Sequence, residues 1–84
     1  MQNADDFIIY PNPASGQLTV MLRQAQHDNY TISITDVVGR EFLREKIYSN
    51  SKTINLKSFL SGVYYVRLIS SDGKIAVRKL VVVK

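Results

Sequence analysis

Cysteine is absent from the 84 residues. That excludes disulfides and thiolate metal sites, and it leaves the redox compartment open. Histidine occurs once, as His27 in a polar stretch. A lone histidine of this kind is ordinarily solvent-facing, and the many serines have no second histidine or cysteine with which to build a nucleophilic triad. The four glycines are dispersed, so no glycine-rich phosphate cradle exists. No apolar run approaches the ~18 residues that cross a bilayer. The opening Met1-Gln2-Asn3-Ala4-Asp5-Asp6 is polar and acidic, the reverse of the basic start of a secretory signal peptide. Asp5 and Asp6 are adjacent and near a terminus, which gives neither a paired-carboxylate site nor a cation cage. These absences leave no residue to assign as catalytic, cofactor-binding or metal-ligating.

What is present is ordinary globular material. Hydrophobic residues make up 45% of the chain, enough for one small domain and too much for disorder. The net charge of +4 is unevenly spread: one base against four acids before Arg40, and ten bases against three acids from Arg40 onward. A basic half can mark an anionic partner, but a lysine-rich sheet face that discourages aggregation has the same composition.

The apolar pattern has period two. Residues 60–69, Leu-Ser-Gly-Val-Tyr-Tyr-Val-Arg-Leu-Ile, form the longest run of strand-favouring residues between clear turn signals. Tyr64, Val66 and Leu68 share one face, and Val63, Tyr65 and Arg67 the other. Because Arg67 must meet water, the Tyr64 face meets the core. Ser71-Asp72-Gly73 then reverses the chain into a last apolar run, which predicts a central hairpin. In that last run Ile75 and Val77 point one way, Arg78-Lys79 intervene, and Leu80 and Val82 alternate, so a bulge is expected at the two charges.

Earlier strands are expected at residues 7–10, 17–22, 30–35, 40–48 and 53–56. Leu18, Val20, Leu22, Tyr30, Ile32, Ile34, Ile54 and Leu56 should face inward. Pro11 and Pro13 bar their segment from a central strand and make it a turn or an extended edge. Residues 23–29 are polar and read as a loop. Asp36 opens and Gly39 closes a turn in which glycine takes the left-handed position. Phe42 and Leu43 are adjacent and apolar, which indicates a bulge or an edge strand. Phe59 and Leu60 are expected to plug the core.

Seven short strands without a helix predict an all-β, immunoglobulin-like antiparallel β-sandwich, with a small open barrel as the alternative. Residues 1–6 read as a linker ahead of a domain spanning 7–84. Tyr64 and Tyr65 beside Arg67 have the composition of a nucleic-acid platform. Tyr64 belongs to the core face, however, so no nucleic-acid partner is expected.

Several signals stand in a fixed order. They are Ile9-Tyr10-Pro11-Asn12-Pro13-Ala14, Leu18-Thr19-Val20, Ile34-Thr35-Asp36-Val37-Val38-Gly39-Arg40, Ile54-Asn55-Leu56, residues 60–67, and Arg78-Lys79-Leu80-Val81-Val82-Val83-Lys84. The ordered set resembles the C-terminal sorting domain, type A, of the type IX (Por) secretion system, over residues 7–84. The resemblance implies a seven-stranded immunoglobulin-like sandwich that carries cargo through the periplasm and across the outer membrane, to the cell surface or the medium. It implies two partners, the outer-membrane translocon and a cysteine-peptidase sortase that removes the domain and can couple the cargo to anionic lipopolysaccharide. The cargo's own export signal would lie far upstream, and its reading frame would end at or near Lys84.

By position, Pro11, Asn12 and Pro13 match the first family motif, and Asp36, Gly39 and Arg40 the central turn. Gly62, Val63 and Tyr64 match the penultimate strand. Lys79, Leu80, Val81, Val82, Val83 and Lys84 match the terminal signal. Cleavage is expected in or just upstream of Asn3, Ala4, Asp5 and Asp6. The terminal strand is expected to hold Leu80 and Val82 inward, with Lys79, Val81, Val83 and Lys84 on the outward side or the free end, where a translocon could pair with its edge. An edge-strand dimer stays open as another association. A stand-alone adhesion or carbohydrate-binding sandwich is the competing function, with Tyr10, Tyr48 and Tyr65 as its candidate aromatics. No cofactor is implied by either reading.

Overall fold

The computed structural model describes residues 7–23 and 29–84. Seven strands occur in chain order: β1 (Phe7–Tyr10), β2 (Gln17–Leu22), β3 (Tyr30–Asp36), β4 (Glu41–Ile47), β5 (Ser51–Asn55), β6 (Gly62–Ser70) and β7 (Ile75–Val82). They form two sheets, ordered β1-β2-β5 and β4-β3-β6-β7, and every named pair is antiparallel. This is the expected sandwich rather than a barrel. The segment expected to be a loop at 23–29 and the single histidine fall mostly or wholly outside the described residues, as do residues 1–6.

Alternation builds the core. Leu18, Val20, Ile32, Ile34, Ile54, Val66, Leu68, Leu80 and Val82 are all buried, with Phe7, Leu56, Phe59 and Tyr64 closing the ends. In β2, β3, β5 and β6 the strand residues expected to face inward do so. The face of β3 away from the core is also covered: Ser33 and Thr35 are buried. Ser33 Oγ donates to Glu41 at 2.5 Å, and Arg67 Nη1 donates to Thr35 Oγ1 at 2.6 Å. The long side chains of the neighbouring strands thus roof the small ones and satisfy them, as buried polar groups require.

Both hairpins of the four-stranded sheet close through the same three-residue loop. Asp36 N–H donates to the Arg40 carbonyl and Gly39 N–H to the Asp36 carbonyl, while Ser70 N–H donates to Lys74 and Gly73 N–H to Ser70. Gly39 and Gly73 have φ of 94° and 92°, the left-handed position such loops reserve for glycine. The register slips between Ile34 and Thr35, which pair with Leu43 and Glu41. Phe42 is therefore the extra residue of a bulge on β4, which is also an edge strand.

Two expectations fail. The first is the bulge at Arg78-Lys79: the β6–β7 register is continuous from Gly62↔Val82 to Ile69↔Ile75. Ala76, Arg78, Leu80 and Val82 all stand on the inner face, and Ile75 and Val77 face out. Arg78 is tolerated there because its guanidinium lies 4.6 Å from the centre of the Phe7 ring, and a ring face attracts a cation. The second is Leu60, which is 79% exposed while its neighbour Phe59 is buried. The ring of Phe59 fills the end of the core against Phe42 and Tyr64, leaving Leu60 to point outward.

These two outcomes define a test. Leu80→Ala should cost about 2–5 kcal/mol, the range for a fully buried leucine. Leu60→Ala should stay within about 0.5 kcal/mol. Urea unfolding of the two variants checks both; comparable losses would contradict the burial described here.

Candidate functional site

The described residues of the recognition motifs converge on one end of the sandwich, and the expected cleavage region at 3–6 lies outside the described residues. Asp36 pairs with Tyr64 across β3 and β6, and Tyr64 pairs with Leu80 across β6 and β7. Beyond that row lie the turn 36–40, the connection 56–61 and residues 82–84. The first motif joins them. After β1 the chain leaves its own sheet, through cis peptide bonds at Pro11 and Pro13, and reaches the outer edge of β7.

The contact along that edge is specific. Asn12 Nδ2 donates to the Lys79 carbonyl at 2.8 Å, and Val81 N–H donates to Asn12 Oδ1 at 3.0 Å. Ala14 then makes a parallel bridge to Val82. Its N–H donates to the Val81 carbonyl and its carbonyl accepts from Val83 N–H, each at 2.8 Å. A side-chain amide, with one donor and one acceptor arm, thus imitates a strand residue where the prolines cannot. Pro11 and Pro13 are exposed, and proline's missing N–H matters little at the margin of a sheet. The edge from Lys79 to Val83 is therefore already occupied, and it is not open to a pairing strand in this folded form.

The last residues are tied to the connection before β6. Lys84 N–H donates to Ser61 Oγ at 2.9 Å, and Lys84 Nζ donates to the Leu56 carbonyl at 2.8 Å. Leu80 and Val82 are buried and Lys79, Val83 and Lys84 exposed, as expected. Gly62 and Tyr64 serve packing: Gly62 opens β6, and Tyr64 is buried with its hydroxyl donating to the Leu60 carbonyl at 2.7 Å. Tyr64 meets the rings of Phe59 and Phe42 edge-on, with centroids 5.3 and 5.6 Å apart, a favoured aromatic geometry.

At the central turn, Asp36 Oδ1 accepts from the N–H groups of Val38 and Arg40, and Oδ2 accepts from Arg40 Nε at 2.8 Å. Partial desolvation acts to raise the Asp36 pKa. The Arg40 and Val38 hydrogen bonds and the Arg40 charge together outweigh it and hold the carboxyl below its ordinary range. Glu41 is lowered by Ser33 and then Arg44, and Asp72 by Ser70 and the Lys74 N–H.

Sequence reasoning missed four participants: Ala14, Ser61, the Leu56 carbonyl and the ring of Phe42. The first three act through backbone groups or a single hydroxyl, which leave no pattern. Phe42 did leave a signal, the doubled apolar residue at 42–43, but not its destination. Among the described residues, no group of three or more His, Asp or Glu could hold a metal ion. The candidate glycan-binding tyrosines are not brought together: Tyr10 ends β1 in one sheet, Tyr65 is paired with Thr35 in the other, and Tyr48 follows β4 at the opposite end.

The two antiparallel sheets form an immunoglobulin-like β-sandwich, and among the described residues the motifs meet at a sealed strand edge and a cluster of turns. The chain is a member of the family of secretion-system C-terminal sorting domains, whose model matches residues 8–83. As such it is a type IX sorting domain, the part of an exported protein that directs it through that system to the cell surface or beyond. An endo-acting ulvan lyase of Formosa agariphila is 32% identical over 82 residues, which cover 94% of this chain and 15% of the lyase. The chain thus spans a small part of that relative. Among solved structures, PorZ, a surface component of the type-IX secretion system of Porphyromonas gingivalis, superposes with a TM-score of 0.79 at 23% identity. The match covers 95% of this chain and 12% of PorZ. A Bacteroides vulgatus protein described as an immunoglobulin-like β-sandwich gives 0.75 at 19% identity, covering 90% and 82%. Both likenesses establish the fold.

Asn12→Ala should cost about 0.5–2 kcal/mol, since two hydrogen bonds are lost but the freed groups reach water. Asn12→Asp, which keeps the acceptor for Val81 N–H and loses the donor to Lys79, should fall between. Urea midpoints of the three proteins check this; a silent Asn12→Ala would show that the edge needs no seal.

Carboxylates whose pKa is lowered by folding stabilise the fold above their unfolded pKa and lose that contribution as pH falls through the folded value. The melting temperature should therefore decline below about pH 4, near the ordinary carboxylate values. Asp36→Asn, which can still accept from Val38 and Arg40, should decline less steeply. Superimposable pH profiles for parent and variant would remove Asp36 from the account.

Proposed function

We propose that the pole formed by residues 11–14, 36–40, 60–64 and 79–84 is the surface that the type IX translocon reads, and that residues 1–6 are the segment a sortase cuts. The observation that carries this reading is the meeting of the first motif and the last strand: Asn12 and Ala14 hold residues 79–83 in place. Motifs far apart in sequence thus form one patch, as a folded address label requires. Pro11, Asn12, Pro13, Gly39, Gly62 and Tyr64 act by shaping that patch, and Arg40, Lys79 and Lys84 are its exposed charges. The domain is a signal and a cleavage substrate rather than a catalyst. Its cargo crosses the periplasm, passes the outer membrane and is released from the domain at the surface, where coupling to lipopolysaccharide can follow. The order of motifs is the basis for placing the chain in type A. Scattering of Tyr10, Tyr48 and Tyr65 speaks against a glycan-binding module.

A reporter fused to the domain, expressed in a bacterium with a working type IX system, tests the reading. The intact fusion should reach the surface, and mass spectrometry should place the cut in or just upstream of residues 3–6; a cut beyond Pro13 would contradict the assignment. Removing Val83 and Lys84 severs bonds to Ala14, Ser61 and Leu56 but spares Leu80 and Val82. The trimmed domain should stay folded, with a melting temperature lower by roughly 5–10 °C, and its fusion should accumulate in the periplasm. Normal delivery of the trimmed fusion would mean that these residues serve the fold alone.

A further inference from the structure

Among the described residues, nine large hydrophobics are exposed, and five of them, Val37, Val38, Phe42, Leu60 and Val83, gather at the pole just described. They sit on three separate projections: the tip of the β3–β4 turn with its adjoining bulge, the loop before β6, and the residues after β7. Contacts link the projections. The Arg40 guanidinium lies 5.8 Å from the Phe42 ring centre, Phe42 meets Tyr64, the Tyr64 hydroxyl donates to the Leu60 carbonyl, and Lys84 N–H donates to Ser61. Clustered exposed apolar residues mark interaction sites more often than scattered ones.

We propose, resting on the sorting-domain reading, that these tips enter a concave apolar seat on a protein of the export machinery, and that carboxylates rim the seat. Charge supplies the second half of the statement. Lys57, Lys79 and Lys84 are exposed around the tips, whereas the nearby acids are paired within the domain, Asp36 with Arg40 and Glu41 with Arg44. A second copy of the chain fits poorly, because like charges would face each other. A lipid surface would accept apolar tips and cations in any arrangement. Here the tips are held in place: the Asp36 side chain bonds both Val38 and Arg40, the Tyr64 hydroxyl bonds the Leu60 carbonyl, and Ala14 and Ser61 bond the N–H groups of Val83 and Lys84. Such preorganisation favours a shaped protein seat.

The reporter fusion again serves as the assay, with Val38→Glu and Leu60→Glu made separately and together. Both residues are exposed, so circular dichroism and melting temperature should match the parent. The double variant is expected to reduce surface delivery at least tenfold, and Lys57→Glu severalfold. Tyr48→Glu and Ile75→Glu, which change exposed apolar residues away from the pole, should deliver like the parent. If the intact fusion itself is not delivered, the sorting reading fails. If it is delivered and the folded double variant is delivered equally well, the seat proposal alone fails. Equal losses from Tyr48→Glu and Ile75→Glu would also overturn it. Co-sedimentation of the domain with phosphatidylglycerol vesicles, abolished by the double variant, would reassign the tips to lipid and overturn the protein seat.

Discussion

An edge strand with unpaired peptide groups is the constraint around which this domain is arranged. β7 closes the four-stranded sheet, and six of its eight residues are apolar. Left open, its outer N–H and C=O groups would template pairing with any other chain. The protein covers the half of that edge nearest the turn cluster with its own first motif. Asn12 supplies through its amide what Pro11 and Pro13 cannot supply through their backbones, and Ala14 completes the row. The same motif carries the chain from one sheet to the other, so the seal and the joint between the sheets are one device.

The remaining polar interactions follow from where the chain must turn. Each hairpin loop places a glycine at positive φ and gathers its loose N–H groups on a carboxylate or hydroxyl. The carboxylates in these turns are held below their ordinary range by the hydrogen bonds they accept, Asp72 from the Ser70 hydroxyl and then the Lys74 N–H, and Asp36, against some desolvation, from Arg40 and Val38. Arg67 and Glu41 likewise serve the sheet by covering the small residues of β3. Once turn and roof are accounted for, the exposed charge left near the pole is basic.

Strand positions were legible wherever one face was apolar and the other polar. β2, β3 and β5 show this alternation cleanly, and the inward residues named from it are all buried. β7 misled because both of its faces are apolar at one end: Ile75 and Val77 looked like core, and Arg78 looked like surface. The continuous register reverses them, and an arginine lying across a phenylalanine ring has no period-two signature. Leu60 and Phe59 could not be separated by pattern either, since which of two adjacent apolar residues turns inward depends on the rings already there. The pole itself was legible as a set of motifs, but their meeting was not. Backbone bonds to Ala14 and Leu56 depend on register between strands that the sequence does not number.

The partners of Asn12 lie 67 and 69 positions further along the chain. Contacts of such sequence separation form late, since a long loop must close before they contribute. A chain interrupted anywhere before Lys79 would hold the first motif with nothing to grip, and the patch made by both would not exist. The clasp therefore works as a check on completeness. The surface at this pole arises only after nearly every residue of the domain has been made and has found its place.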